Sequence, residues 1–432
     1  MKKALILTYY WPPGSGPGVQ RWLKFCKYLP DEGWEPIIVT VRNGSYPSQD
    51  ESLTEDIPSD LKVHKTATLE PFAIYNALRG KKGKSIEVGM GNIKGKQGFF
   101  ARFSNYVRAN LFVPDARVGW NVYSLPEALR IIKVEQPAVI ITTGPPHSTH
   151  LVGERLHREN SIPWIADFRD PWTNIYYNAF LNRTESTRQR DQDLEDMVAT
   201  EANAMVVASP GLKAEFEARA REIVFIPNGY DEEDLLHLNP APYKEFTLSY
   251  VGNLKAFQNV TGLWQAIASL ANENEAFKSN FKLRITGNIA DEVKQGLSEA
   301  GIMGMVELLP FVPHKEAIER MMASQALLLP IPQDSGNKSI LTGKLFEYLA
   351  SRRPILSIGP KDGNAADLLL ECGKDPMLDY ADTDRIKDWL VRYFKEYQTH
   401  PSPMVTGNDK FKQFSRKGST SVLASLLNRI TP

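Results

Sequence analysis

The densest grouping of residues able to do chemistry lies in residues 326–358, ALLLPIPQDSGNKSILTGKLFEYLASRRPILSI. The run reads as a strand, a polar loop, a short helix and a second strand. That order puts the loop and the helix start at the carboxyl end of a buried strand, where α/β proteins bind ligands. Thr342 and Gly343 open the helix, and Lys344 falls in its first turn, where the helix dipole disfavours a cation by about 0.3–1 kcal/mol. A bound phosphate would remove the conflict. Backbone N–H groups, a hydroxyl and an ammonium suit a diphosphate, and Glu347, one turn on, could accept hydrogen bonds from ribose hydroxyls. An ordinary i, i+3 pair of Lys344 and Glu347, with Leu345, Tyr348 and Leu349 facing a core, accounts for the same residues.

Other motifs also end apolar runs. Gly16 and Gly18 lie in residues 11–18, WPPGSGPG, ahead of a helix with Arg21 in its first turn. Small residues there let a ligand approach backbone donors, as in a phosphate or acceptor loop, or simply form a tight turn. The GxGxxG fingerprint fails at Val19, and Arg42 follows the second run where a NAD site carries an acid, which disfavours a nicotinamide enzyme. His147 closes TTGPPH near a helix start, placed to donate to a substrate hydroxyl or phosphate, or to be a surface loop histidine. Asp167 and Asp170 flank Arg169, able to orient a sugar hydroxyl or to hold a structural ion pair. Trp172, Tyr176 and Tyr177 follow, with faces suited to sugar stacking or to loop packing. In the second half Gly252 and Asn253 end one strand and Gly287 another, and Phe311 and His314 could contact a nucleotide base.

These positions need a frame, and the alternation of short apolar runs with helix-period segments provides one. ALILTYY, PIIVTV, AVIITTG and WIADF alternate with helical stretches, and FTLSYVGN, FKLRITGN, ALLLPIP and PILSIG repeat the grammar after a Pro-rich break at residues 238–244. The pattern predicts parallel sheets in two tandem doubly wound domains. A chain of 432 residues also exceeds the roughly 100–200 residues of one domain. Lys plus Arg and Asp plus Glu both number 51, so no net field attracts nucleic acid. Cys26 and Cys372 stand alone, without a disulfide framework or a thiolate metal site, and the cytoplasm is the simplest compartment. No stretch approaches the roughly 18 apolar residues of a membrane span. Residues 79–108 interleave eight Lys and Arg with aromatics, a composition suited to peripheral contact with an anionic membrane, or to a solvated loop and a core-packed helix.

Taken in order, the Pro- and Gly-rich first loop, TTGPPHS, ADFRDPW, PNGYD, YVGNL, the TGN loop and TGKLFEYLASRRPIL resemble glycosyltransferase family 4, retaining GT-B fold enzymes, over nearly the whole chain. The resemblance implies α/β architecture with two tandem Rossmann-like domains facing a central cleft. Residues 1–240 would form the acceptor side, with 415–432 crossing back, and 241–414 would bind the donor. Glu347 would hold the donor ribose, and Thr342 and Lys344 would lie by the diphosphate with Gly343, Gly252, Asn253 and Gly287. His147, with Asp170, would work on the reacting sugar and acceptor beside Gly16, Gly18 and Arg21. No metal and no cofactor are expected beyond a nucleotide-sugar used as substrate, and the acceptor would be a glycan or lipid-linked saccharide. Ser339 stands eight residues before Glu347, where the family carries an acid, and Asn253 replaces a usual arginine. A sugar-nucleotide 2-epimerase of the same fold and a catalytically silent nucleotide-binding homologue are the alternatives.

Overall fold

The computed structural model describes residues 1–46, 48–69, 106, 109–175, 178, 181–236, 238–334 and 336–431. The basic interval 79–108, Tyr106 apart, and with it the expected membrane contact, lies outside them, as do Tyr176 and Tyr177. The chain divides into two compact units, Met1–Asn228 with Arg416–Pro432, and Gly229–Ser415. The boundary falls at Asn228 rather than near 240. The reason is local: Tyr230 N donates to Phe414 O at 3.1 Å and its ring meets Phe411, while Leu235 and Leu238 pack on the second unit's core.

The first unit carries strands β1 Lys2–Leu7, β2 Trp34–Val41, β3 Lys62–Thr66, β4 Val139–Gly144, β5 Trp164–Phe168, β6 Ala204–Val207 and β7 Ile223–Phe225. They form a parallel sheet in the order β3-β2-β1-β4-β5-β6-β7. Helices α1 Pro17–Tyr28, α2 Asn121–Glu135, α3 Ser148–Asn160, α4 Glu185–Glu201 and α5 Pro210–Phe216 alternate with the strands. Side chains leave a strand on alternate faces, so Leu5 and Leu7 of β1 enter one core with Ile131, Val152 and Leu156, while Ala4 and Ile6 enter the other with Trp22 and Leu23. Both faces being covered, β4 is buried along its whole length, which is why it opens on the unbroken apolar run Val139–Ile141 instead of alternating, with the hydroxyls of Thr142 and Thr143 hydrogen-bonded.

The second unit repeats the scheme with β8 Phe246–Val251, β9 Phe281–Thr286, β10 Val306–Leu309, β11 Ala326–Pro330 and β12 Ile355–Ile358, parallel in the order β10-β9-β8-β11-β12. Its helices are α6 Thr261–Glu273, α7 Glu275–Asn280, α8 Asp291–Glu299, α9 His314–Ala323, α10 Gly343–Ser351, α11 Asn364–Glu371 and α12 Thr383–Thr399. The spacing of Leu263, Trp264, Ile267 and Leu270 puts one stripe of α6 into the core with Ile386 and Leu390 of α12. The last helix, α13 Arg416–Ile430, belongs to the first unit and buries Leu423, Leu426 and Leu427 there, each contributing about 1.5–3 kcal/mol. In both sheets the strand order reverses beside the first strand, between β1 and β4 and between β8 and β11. The carboxyl ends at such a switch point form the crevice that open α/β sheets offer to ligands.

Candidate functional site

At the switch point of the second sheet, β8 runs into Gly252 and β11 leads through its loop to α10. Tyr348 of α10 is buried, and its hydroxyl accepts from Val251 N at 3.3 Å, which fixes the helix against the end of β8; burial raises this phenol above its ordinary value. Lys344 then extends across Gly252: a β-carbon at that glycine would stand 2.3 Å from Cε and 2.7 Å from Nζ. Gly252 also has φ 123°, a conformation other residues rarely adopt, so backbone and packing both require glycine. Gly287 sits equally close on the other side, where a β-carbon would meet Gly252 O at 2.6 Å. Asn253 is exposed, and its Oδ1 accepts from Asn288 Nδ2 at 3.1 Å.

The polar groups here are unspent. Thr342 is the N-cap of α10, yet its side chain makes no cap hydrogen bond, and its buried Oγ1 has no partner. The first turn of α10 contains no acid. Among the described residues the side chains of Lys344 and Glu347 form neither a hydrogen bond nor an ion pair with each other or with any other group; Nζ lies 5.4 Å from the Tyr250 ring. The ordinary i, i+3 pair is therefore not formed. An uncapped helix start, a half-buried ammonium and a carboxylate one turn on are the chemistry of an anion with hydroxyls behind it.

The switch point of the first sheet has the opposite character. Arg21, expected near a phosphate, is buried: Nη2 pairs with Asp167 Oδ1 at 2.9 Å, and Nη1 donates to Ile226 O and Pro227 O at 2.8 and 2.9 Å. Asp167 Oδ2 accepts from Trp22 Nε1 at 2.8 Å and Thr143 Oγ1 at 2.7 Å, so the carboxylate is spent as well. The pair ties α1 to β4, β5 and the end of β7, and Arg21 is withdrawn from any phosphate loop. Gly16 is the N-cap of α1, and Gly18 makes room for Arg169, since a β-carbon there would fall 1.2 Å from Nη1. The Arg169 guanidinium donates to Gly144 O at 3.1 Å and to Pro145 O. Asp170 is exposed beside it.

His147 caps α3 but faces inward. It is buried, stacks on Trp172 with ring centres 4.9 Å apart, and meets Pro171 O through Nε2 at 3.3 Å. Burial takes its pKa down to about 3, with Arg169 adding to the effect, so the imidazole is neutral. Trp172 is buried too and donates to Asp191 Oδ1 at 2.9 Å, which makes it a packing residue and not a sugar platform. Asp115, which sequence reasoning missed, supplies the carboxylate for the start of α3: it accepts from Ser148 N at 2.8 Å and Ser148 Oγ at 2.9 Å, while burial raises its pKa. That helix start already has a side-chain acceptor.

No protein-family model and no curated protein sequence matches the chain. Solved structures do. A sucrose-phosphate synthase from Thermosynechococcus elongatus matches with a TM-score of 0.59 at 12% identity, covering 99% of both chains. A glycosyltransferase from Rickettsia africae matches with a TM-score of 0.60 at 14% identity, over 99% of this chain and 98% of the other. A protein from Listeria monocytogenes described as a UDP-N-acetylglucosamine 2-epimerase matches with a TM-score of 0.50 at 12% identity, over 99% and 96%.

The fold is GT-B. Within this GT-B chain two further residues lie at the carboxyl edge of the second sheet without having shown themselves in the sequence. Arg320 of α9 reaches Thr286 Oγ1 at 3.3 Å, next to Gly287, while sharing Glu316 at 2.6 Å. It is a cation that no motif marks, because only the packing of α9 brings it to the end of β9. Asp334 is the one acid in the loop that joins β11 to α10; it is partly buried, and burial raises its pKa. Ser339 lies in the short 3-10 turn Asn337–Ser339 of the same loop. His314 pairs with Asp234 at 3.0 Å, and Phe311 is half exposed.

Proposed function

We propose that the protein is a glycosyltransferase that takes a sugar from a nucleotide-sugar donor and transfers it, with retention at the anomeric carbon, to a glycan or lipid-linked saccharide acceptor. The observation that carries this reading is the unpaired Lys344 laid over Gly252 at the uncapped start of α10, with Glu347 unpaired one turn behind. In this reading the α10 N–H groups, Thr342 and Lys344 hold the leaving diphosphate, Glu347 the ribose, and Arg320 supplies the second cation that the sequence lacks at Asn253. Neutralising the leaving group and fixing the reacting partners are the protein's contributions to rate. Asp334 is the acid available to the donor sugar in place of Ser339. Among the described residues no helix is long and apolar enough to cross a membrane.

The test is product formation from sugar-nucleotides with and without saccharide acceptors. Transfer requires an acceptor and gives a product of unchanged anomeric configuration. The fold likeness to a 2-epimerase favours a second reading. Conversion of the sugar-nucleotide alone would establish that one and remove the first.

A further inference from the structure

Two imidazole nitrogens in the first unit are buried without a hydrogen-bond partner, His147 Nδ1 and His150 Nε2. They look onto the same spot: a β-carbon placed on Gly144 would lie 2.7 Å from the first and 2.6 Å from the second. The remaining contacts decide which nitrogen carries a proton. Trp164 Nε1 can only donate, and it lies 2.8 Å from Thr142 Oγ1. Thr142 Oγ1 lies 2.8 Å from His150 Nδ1. If the hydroxyl donates onward, Nδ1 accepts and the proton of His150 sits on Nε2. The reverse assignment leaves the Thr142 hydroxyl hydrogen without an acceptor among the described residues and sets two bare lone pairs toward one spot. On the far side Pro171 O can only accept, and at 3.3 Å from His147 Nε2 it favours the proton on that nitrogen and a lone pair on Nδ1. Donors then run in one direction from Trp164 through Thr142 to His150, whose Nε2–H borders the same space over Gly144 as His147 Nδ1, with no hydrogen bond between the two nitrogens. The rings are held for this: His150 lies flat on Phe168 with centres 4.6 Å apart, and His147 on Trp172.

We infer that His150 is a positioning residue for His147, holding it in the tautomer with the proton on Nε2 and orienting the ring. The single contact of Nε2, 3.3 Å to Pro171 O, is too long to fix that choice alone. Its relevance to transfer rests on the reading of His147 as a residue of the reacting side. The tautomer itself does not.

Nitrogen chemical shifts of the full chain labelled with 15N-histidine read the tautomers directly. The wild type is expected to show His147 and His150 both protonated on Nε2. His150→Phe, which keeps the stacked ring, is expected to move His147 toward a mixture of tautomers, and to lower kcat about ten-fold while leaving the KM for the donor unchanged. Thr142→Val removes the hydroxyl one step earlier and is expected to free the tautomer of His150, which provides a second variant should the first fail to fold. A wild-type His147 protonated on Nδ1, or a His147 pattern unaltered in both variants, would overturn the inference. Absence of transfer with every donor would defeat the proposed function while leaving the nitrogen pattern to stand.

Discussion

The two sheets share one topology and present their switch points in the same way, yet they spend their polar groups differently. At the first, Arg21, Asp167, Asp115 and Arg169 each use their charge on another part of the same unit. At the second, Lys344, Glu347 and Thr342 Oγ1 have no hydrogen-bond or ion-pair partner among the described residues. A strand-order reversal creates a crevice at both edges. The residues that line it determine whether that crevice stabilises the fold or remains for a ligand.

The sharpest way to break this contrast is to remove a charge on the closed side. Asp167→Ala strands Arg21 in the core and is expected to cost about 3–5 kcal/mol, read from the denaturant midpoint of unfolding. A loss below about 1 kcal/mol would mean the pair is not structural. Acid tests the same edge. His147 is held at about 3 by burial against an ordinary 6.5, so below pH 6.5 the unfolded chain binds a proton that the folded chain does not. Its contribution is complete above pH 6.5 and is lost toward pH 3, at about 1.4 kcal/mol per pH unit. His150, held well below its ordinary value by burial first and then by His147 and Arg169, acts with the same sign. His147→Phe should flatten the stability profile measured between pH 6.5 and 4.5, and an unchanged slope would remove the buried imidazole from the account.

On the open side the effects should appear in binding and not in stability. Lys344→Ala is expected to weaken nucleoside diphosphate affinity by about 2 kcal/mol, roughly 30-fold, with an unchanged unfolding midpoint. Glu347→Ala should cost about 1.4 kcal/mol, roughly ten-fold, in a calorimetric titration with the same ligand. The smallest effect belongs to Asp334→Asn, which should raise the KM of the sugar-nucleotide about three-fold while leaving nucleoside diphosphate affinity alone, since only the sugar would meet that carboxyl.

What could be read from the sequence follows the same division. The frame was legible because β4 and β11 carry apolar runs and α6 and α10 a stripe of period 3.6, patterns that local spacing alone determines. The placement of Gly252 at a strand end and of Thr342, Lys344 and Glu347 at a helix start was legible because loop, helix start and first turn are contiguous. Arg21 was misread because its partner, Asp167, lies 146 residues away, and no local spacing announces the pairing. Asp115 and Arg320 were missed for the same reason: each acts across a tertiary contact, 33 and 34 residues from the group it meets. The aromatic after Asp170 was open between stacking a sugar and filling a core, and burial of Trp172 against His147 decided it.

Isothermal titration of the wild type, Lys344→Ala and His147→Phe with a panel of nucleoside diphosphates tests the central claim most directly. At least one nucleotide should bind the wild type and His147→Phe alike, and bind Lys344→Ala about 30-fold more weakly. Binding that Lys344→Ala leaves intact, or no binding by any of the panel, would contradict the assignment of the second switch point as the donor site.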